Sequence, residues 1–300
     1  MSRPLDYLPA AESFLDPDRA DADAPASARA VVIPFGLEAS VSYGSGTAAG
    51  PAALLAASHQ LELYDEELGC EPYLDYGIAT VREPAVARPL TAALDQIAGL
   101  VDTVVSAGKF PLVLGGEHSL TIGAVRPLAK QHPGLVVLQF DAHADLRDGY
   151  LGERNSHASA MRRVLDIPGV SLVSVGIRAL SKPEAEFAAA NPQRVAIHWA
   201  KDQARWDIDD ILRPLAGWPV YVTFDIDAFD AAIMPATGTP TPGGLGYWQA
   251  LEILRRASSV ANVVGGDVVE LAPIKGLHAC DYTAAAVAYK IMSYALSGRA

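Results

Sequence analysis

Short runs of β-branched and other apolar residues recur along this chain, separated by longer Ala- and Leu-rich segments of helical period. That alternation limits the possible folds more than any other feature. A strand that is apolar on both faces needs cover on both faces, which a parallel sheet between two helix layers provides. The strand candidates are AVVIPF (30–35), YLDYGI (73–78), PLVLGG (111–116), LVVLQFD (135–141), SLVSVGI (171–177), RVAIHW (194–199), PVYVTFDID (219–227) and ANVVGGDVVE (261–270). Helix candidates lie between them at 50–62, 89–107, 119–131, 157–166, 183–190, 207–216, 247–258 and 281–297. In the second of these, Leu90, Leu94, Ile97 and Val101 form an apolar stripe. The pattern predicts an α/β fold, a three-layer α/β/α sandwich with a parallel eight-stranded sheet and right-handed crossovers. No internal repeat or linker divides it, so a partly flexible N-terminal arm over 1–29 and a single domain over 30–300 are expected.

Half of the 300 residues are hydrophobic, enough for a sizeable core. No run of eighteen apolar residues exists, and the first residues lack the basic start and apolar centre of a signal peptide. A cytoplasmic protein without a membrane partner is the expectation. The net charge of −12 argues against a nucleic-acid partner and suits a small cationic ligand. Glu12, Asp16, Asp18, Asp21 and Asp23 put part of that charge in the leading arm, however, where solubility explains it equally well. Cys70 and Cys280 have no metal-ligand spacing and read as reduced core thiols.

Ligands of open α/β sheets bind beyond the carboxyl ends of the strands, so the residues that follow each apolar run matter most. After PLVL comes GGEHS (115–119), after LVVLQF comes DAHAD (141–145), after PVYVTF comes DIDAFD (225–230), and after NVVGG comes DVVELAP (267–273). Buried carboxylates need cations, and these clusters contain no Lys or Arg. Divalent metals fill that role. If strand geometry persists, Asp141, His143 and Asp145 share one face, as do Asp225 and Asp227. With His118 the set exceeds one tetrahedral site and suits two hard-to-borderline ions such as Mn²⁺. Taken alone, GGEHS is a weak signal, and His118 reads more readily as a hydrogen-bonded core residue. A calcium loop over DIDAFD is excluded, because Asp230 stands where such a loop needs Gly and Thr237 where it needs Glu. GSGTAAG (44–50) departs from the GxGxxG spacing of dinucleotide sites and reads as a flexible loop. PATGTPTPGG (235–244) reads as a surface connection or as a wall of the site mouth.

Together GGEHS, DAHAD, SHASAMRR (156–163), FDIDAFD with PATGTPTPGG, and DVVELAP resemble the ureohydrolase family of arginases and agmatinases. SYGSGTAAGPAALLAAS (42–58) and LELYDEEL (61–68) are similar to its agmatinase branch. The resemblance implies two Mn²⁺ per chain. One would be held by His118, Asp141, Asp145 and Asp225, the other by His143, Asp141, Asp225 and Asp227. Such a pair activates water against the poorly electrophilic guanidinium carbon. The resemblance further implies that Asp145 protonates the leaving amine, that His157 exchanges protons with solvent, and that Glu270 binds the guanidinium. It implies a homotrimer or homohexamer as well. Without it, His157 reads as a helix N-terminal residue beside Ser156.

The chain departs from the family pattern at Asp230-Ala231, at Glu117 in place of Asp, and at Ile274-Lys275-Gly276-Leu277. The loop LRDGYLGERN (146–155) lacks the hydroxyl run with which arginases bind an α-carboxylate, which favours agmatine, giving putrescine and urea. Arg147 and Arg154 leave a guanidino acid such as guanidinobutyrate as the alternative. A one-metal zinc amide deacetylase and a binding protein without catalysis are the remaining readings.

Overall fold

The computed structural model describes residues 5–21 and 24–297; Asp23 of the acidic arm lies outside them. Eight strands form one sheet, all pairs parallel: β1 (Ala30–Phe35), β2 (Ile78–Thr80), β3 (Phe110–Gly115), β4 (Val136–Phe140), β5 (Ser171–Ile177), β6 (Val195–Trp199), β7 (Pro219–Asp225) and β8 (Asn262–Val269). The helices are α1 (Gly50–Ser58), α2 (Tyr73–Tyr76), α3 (Leu90–Ser106), α4 (Leu120–Gln131), α5 (Ala160–Val164), α6 (Lys182–Ala190), α7 (Ile208–Leu212), α8 (Tyr247–Val260) and α9 (His278–Leu296). The expected three-layer sandwich is what forms. Neighbouring residues of one strand feed opposite layers, as period-two geometry requires. Val32, Leu112 and Leu138 pack in the layer of α8 and α9, and Val31, Val113 and Val137 in the layer of α3 and α4.

The strand order is β2-β1-β3-β8-β7-β4-β5-β6. The four strands followed by GGEHS, DVVELAP, DIDAFD and DAHAD are therefore consecutive neighbours at the centre of the sheet. From β1 the chain goes to the edge strand β2 and returns inward to β3, then builds outward from β4 to β6 at the other edge, and β7 and β8 return to fill the gap between β3 and β4. Ligand crevices open where crossovers diverge in this way. Here all the acidic motifs converge on one.

The second strand differs from its expected position. Tyr73 and Tyr76 are buried three residues apart while Leu74 and Asp75 between them face solvent, which makes 73–76 a helical turn after Pro72. The strand itself is only Ile78–Thr80, at the sheet edge. The described part of the leading segment, expected as a partly flexible arm, is anchored to the domain. Phe14 and Leu15 are fully buried, the Phe14 N–H donates to Thr80 Oγ1 at 2.9 Å, and the Leu15 N–H donates to Ser58 Oγ at 2.8 Å. Tyr7 bridges Val81, and Arg19 Nη2 donates to the Ile78 carbonyl at 2.7 Å. Two adjacent apolar side chains amid acidic residues anchor the segment, and it covers an edge strand that would otherwise offer unpaired backbone groups. Cys70 is exposed rather than in the core, Cys280 is buried, and both are free thiols. Among the described residues no helix is long and apolar enough to cross a membrane.

Emptying the Phe14 site tests the anchoring role of the arm. Phe14→Ala lowers the unfolding free energy by about 3–5 kcal/mol, the cost of a large buried aromatic side chain. Denaturant titration measures it, and a change below about 1 kcal/mol would show the segment to be dispensable.

Candidate metal centre

His118 follows β3 just ahead of α4 and is 1 % exposed. Its Nδ1 lies 3.2 Å from Asp141 Oδ2, 3.0 Å from Asp145 Oδ2 and 3.4 Å from Asp225 Oδ2. Across from it, His143 Nδ1 lies 3.0 Å from Asp227 Oδ2 and 3.6 Å from Asp141 Oδ1. Two ligand groups result: His118 with Asp141 and Asp145, and His143 with Asp141 and Asp227. Asp141 belongs to both and offers a different oxygen to each. All six predicted ligands thus converge.

They do not converge as a strand-period comb. β4 ends at Phe140 and β7 at Asp225, so residues 141–145 and 226–228 are already off the sheet. The two-residue spacing works through local turns instead. Asp141 Oδ1 accepts the His143 N–H at 2.5 Å and Asp225 Oδ1 accepts the Asp227 N–H at 2.9 Å, the turn habit of aspartate. Asp145 and Glu270 have φ of 52° and 66°, in the left-handed region where a non-glycine residue costs about 1–3 kcal/mol. The Glu270 N–H, donating to the Gly116 carbonyl at 2.8 Å, and the Asp145 carbonyl, accepting from the Arg162 N–H at 3.0 Å, hold them there.

Partners behind the ligands fix their orientation. His118 Nε2 is 2.8 Å from Thr223 Oγ1, whose hydroxyl donates to Asp267 Oδ1 at 2.6 Å. Asp267 therefore stands outside the metal cluster despite its place in the DVVELAP motif. Its buried carboxylate takes further hydroxyls from Thr121 and Tyr221, each at 2.7 Å. With Nε2 committed to Thr223, Nδ1 is the nitrogen left facing the carboxylates. Gln139 Nε2 donates to Asp141 Oδ2 at 2.7 Å, and the Ala142 N–H donates to Asp227 Oδ1 at 2.9 Å.

The electrostatics are those of a site built for cations. Burial pushes the Asp225 carboxyl well above the usual carboxylate range, and Asp227 and Asp141 add to that push. Burial also raises Asp145, with Asp141 second. Burial opposes charge on both imidazoles, yet the carboxylates around them prevail, lifting His118 well above its ordinary value and His143 to about 12. His118 Nδ1 is a buried nitrogen with no hydrogen-bond partner, aimed at three carboxylates. An orphaned imidazole nitrogen among acids fits a divalent metal.

The centre opens into a cavity of about 460 Å³ whose wall includes His143, Asp145, Asp225, Asp227, His157 and Glu270. Glu270 Oε1 accepts the His118 N–H at 2.6 Å, and burial lifts this carboxyl to about 8.

A model of the arginase family matches residues 28–296. The chain belongs to the arginase family. It is 39% identical over 282 residues, 90% of either chain, to the N(1)-aminopropylagmatine ureohydrolase of Synechocystis sp.. It is 38% identical to the agmatinase of Bacillus anthracis, with 81% of this chain and 83% of that one covered. Among solved structures, the agmatine ureohydrolase of Thermoplasma volcanium superposes with a TM-score of 0.82 at 30% identity, covering 95% and 94% of the two chains. The protein is a ureohydrolase of the agmatinase branch, a hydrolase acting on linear amidines, with two His/Asp clusters arranged for a binuclear metal site.

Several wall residues escape the sequence reading. Ser42, Tyr43 and Gly44, the last of which begins the loop read as flexible, line the cavity, and the Gly44 N–H donates to the Gly238 carbonyl at 3.1 Å. Gly238 and Thr239 line it too, so PATGTPTPGG is a wall of the mouth. Glu184 also faces the cavity and is buried. In sequence Ser181-x-x-Glu184 signals only a capping box; the Glu184 carboxylate caps α6 through Ser181 and accepts the Leu146 N–H at 3.0 Å. Arg178 follows β5 directly and lines the cavity, while Lys275 is exposed and outside its wall.

Two outcomes test the centre. Because Asp141 serves both groups, Asp141→Ala binds neither ion tightly whereas Asp227→Ala weakens one, as metal content per chain after gel filtration shows. Ligation needs neutral imidazole, and His143 holds its proton up to about pH 12 in the metal-free site. Metal capture therefore expels protons, and affinity falls about tenfold per pH unit for each proton displaced as pH drops. Titration calorimetry in buffers of different ionisation enthalpy detects the release; a buffer-independent heat would contradict it.

Proposed function

We propose that the chain hydrolyses the guanidino group of agmatine to putrescine and urea, with two Mn²⁺ held by His118, Asp141, His143, Asp145, Asp225 and Asp227. One observation supports a cationic tail in particular. Among the described residues the arginines that line the cavity, Arg147 and Arg178, are both engaged. Arg147 pairs with Glu184 at 3.7 Å and stacks on the Tyr150 ring at 4.7 Å. Arg178 spends its guanidinium on backbone carbonyls, including those of Asp227 at 2.8 Å and Thr241 at 2.6 Å. Arg154 pairs with Asp166 and does not line the cavity. Among the described residues a guanidino acid would find no unengaged arginine in the cavity wall for its carboxylate, whereas a guanidino amine needs none.

When bound, the two ions supply the Lewis acidity that makes water a nucleophile near neutral pH. The side chains do the rest. Glu270 accepts two N–H groups of the guanidinium and gives up its own proton, because the substrate's charge offsets the burial that holds that proton on. Its left-handed backbone aims the carboxylate into the cavity. Asp145 faces the cavity and His118 at once, which suits it to take a proton from the attacking water and pass it to the leaving amine. His157, which also lines the cavity, exchanges protons with solvent.

A second reading adds to the tail. The cavity leaves room beyond a four-carbon amine, and the Synechocystis relative is an N(1)-aminopropylagmatine ureohydrolase, so the aminopropyl derivative of agmatine is the competing substrate. Urea release with Mn²⁺ from agmatine, N(1)-aminopropylagmatine, guanidinobutyrate and arginine separates the cases. Expected is a kcat/KM for agmatine at least about 100-fold above either acid, the discrimination of one unpaired buried charge. A preference for guanidinobutyrate or arginine would overturn the cationic-tail reading, and a larger kcat/KM for the aminopropyl compound would select the second.

A further inference from the structure

Glu117 is fully buried yet touches no metal ligand through its side chain. Its Oε2 accepts the N–H groups of Ala39 and Ser40, each at 2.6 Å. Its Oε1 accepts the hydroxyls of Ser40 at 2.7 Å and Ser119 at 2.5 Å. The carboxylate thus fastens the loop after β1 to the turn that carries His118. Gly116 allows that approach, since a Cβ there would meet the Leu37 carbonyl oxygen at 2.0 Å.

The fastened loop presents Ser40 to His157. Ser40 Oγ accepts the His157 backbone N–H at 2.9 Å and lies 3.3 Å from His157 Nδ1. A hydroxyl has one hydrogen. Here that hydrogen is committed to a carboxylate, the stronger acceptor, so towards the imidazole Ser40 can only accept. The opposite nitrogen, Nε2, lies 3.4 Å from Ser42 Oγ, a residue of the cavity wall.

We infer that Glu117 and Ser40 are positioning residues that hold neutral His157 as its Nδ1–H tautomer, with the bare Nε2 turned to the cavity as the proton-accepting atom. The inference rests on the proton-carrying role proposed for His157. It gives that role a direction, because a proton enters and leaves at Nε2 while Nδ1–H stays on Ser40. Carboxylate, hydroxyl and imidazole then act in series, the acid fixing a hydroxyl and the hydroxyl fixing a ring, as a carboxylate fixes the ring directly in hydrolytic triads.

The test combines spectroscopy with kinetics on the Mn²⁺-free and Mn²⁺-loaded enzyme. In the metal-free chain labelled with ¹⁵N-histidine, the pair of ring resonances lost in His157→Ala identifies His157. The neutral ring should show a protonated Nδ1 and a bare Nε2, and Ser40→Ala should shift it towards the Nε2–H form. In the loaded enzyme Ser40→Ala should lower kcat about tenfold with KM within twofold, and Ser40→Thr, which keeps the hydroxyl, should recover most of it. Ser40→Ala in a His157→Ala background should cost nothing further. An Nε2–H tautomer in the unaltered protein, or a full additional loss in the double variant, overturns the inference alone. Unaltered kcat in His157→Ala overturns the role of His157 and the inference with it.

Discussion

Buried negative charge at the carboxyl ends of four adjacent strands is the constraint around which this protein is organised. Asp141, Asp145, Asp225 and Asp227 are all at most 5 % exposed and crowd one another. Desolvating one carboxylate costs several kcal/mol, and mutual repulsion adds to it. In the metal-free chain protons on His118 and His143 compensate in part. Other cations are kept away: Arg178 comes near, but its guanidinium is spent on backbone carbonyls around Asp227. A lysine or arginine paired directly with these acids would stabilise the fold and block the chemistry. Leaving the charge to be balanced by imidazole protons keeps it exchangeable for metal.

The support beneath these acids follows the same economy of charge. Asp267 is equally buried and sits one layer down, yet it is no ligand, because Thr121, Thr223 and Tyr221 satisfy it with neutral hydroxyls. Its effect passes through Thr223 to His118 Nε2 and decides which imidazole nitrogen faces the metal cluster. Glu117 does the same for the loop carrying Ser40. Both acids act at a distance of one hydroxyl, which lets a carboxylate orient a ring without joining its titration directly.

How much of this the sequence discloses follows from the range of each interaction. Continuous apolar strands and acids at their ends are local patterns, so the sheet and the acidic strand ends that meet at one site can be read directly. The period-two argument selects the right residues for a partly wrong reason. Asp141 and His143, or Asp225 and Asp227, cooperate because an aspartate accepts the N–H two residues on, and that turn has the same spacing as a strand face. The segment 73–78 misleads because two tyrosines three apart suit a strand's composition and a helix's geometry equally. Ser42, Tyr43 and Glu184 are invisible as wall residues, since only the crossovers bring 42–44, 184 and 238–239 to the same mouth. Glu117 looks like a conservative departure from aspartate until its four donors are seen.

The floor of the site and its mouth are therefore determined differently. The floor stands on four strands and a hydroxyl network, and the reaction class follows from it. The mouth is made of loops, where substrate preference ordinarily resides. Yet one buried residue ties the two together: Glu184 neutralises Arg147 at the mouth, caps α6, and holds the Leu146 N–H just beyond the ligand Asp145. Freeing Arg147 to greet a carboxylate tail by removing Glu184 would also release the loop that presents Asp145. The proposed preference for cationic substrates would thus be coupled, through a single carboxylate, to the geometry that presents Asp145.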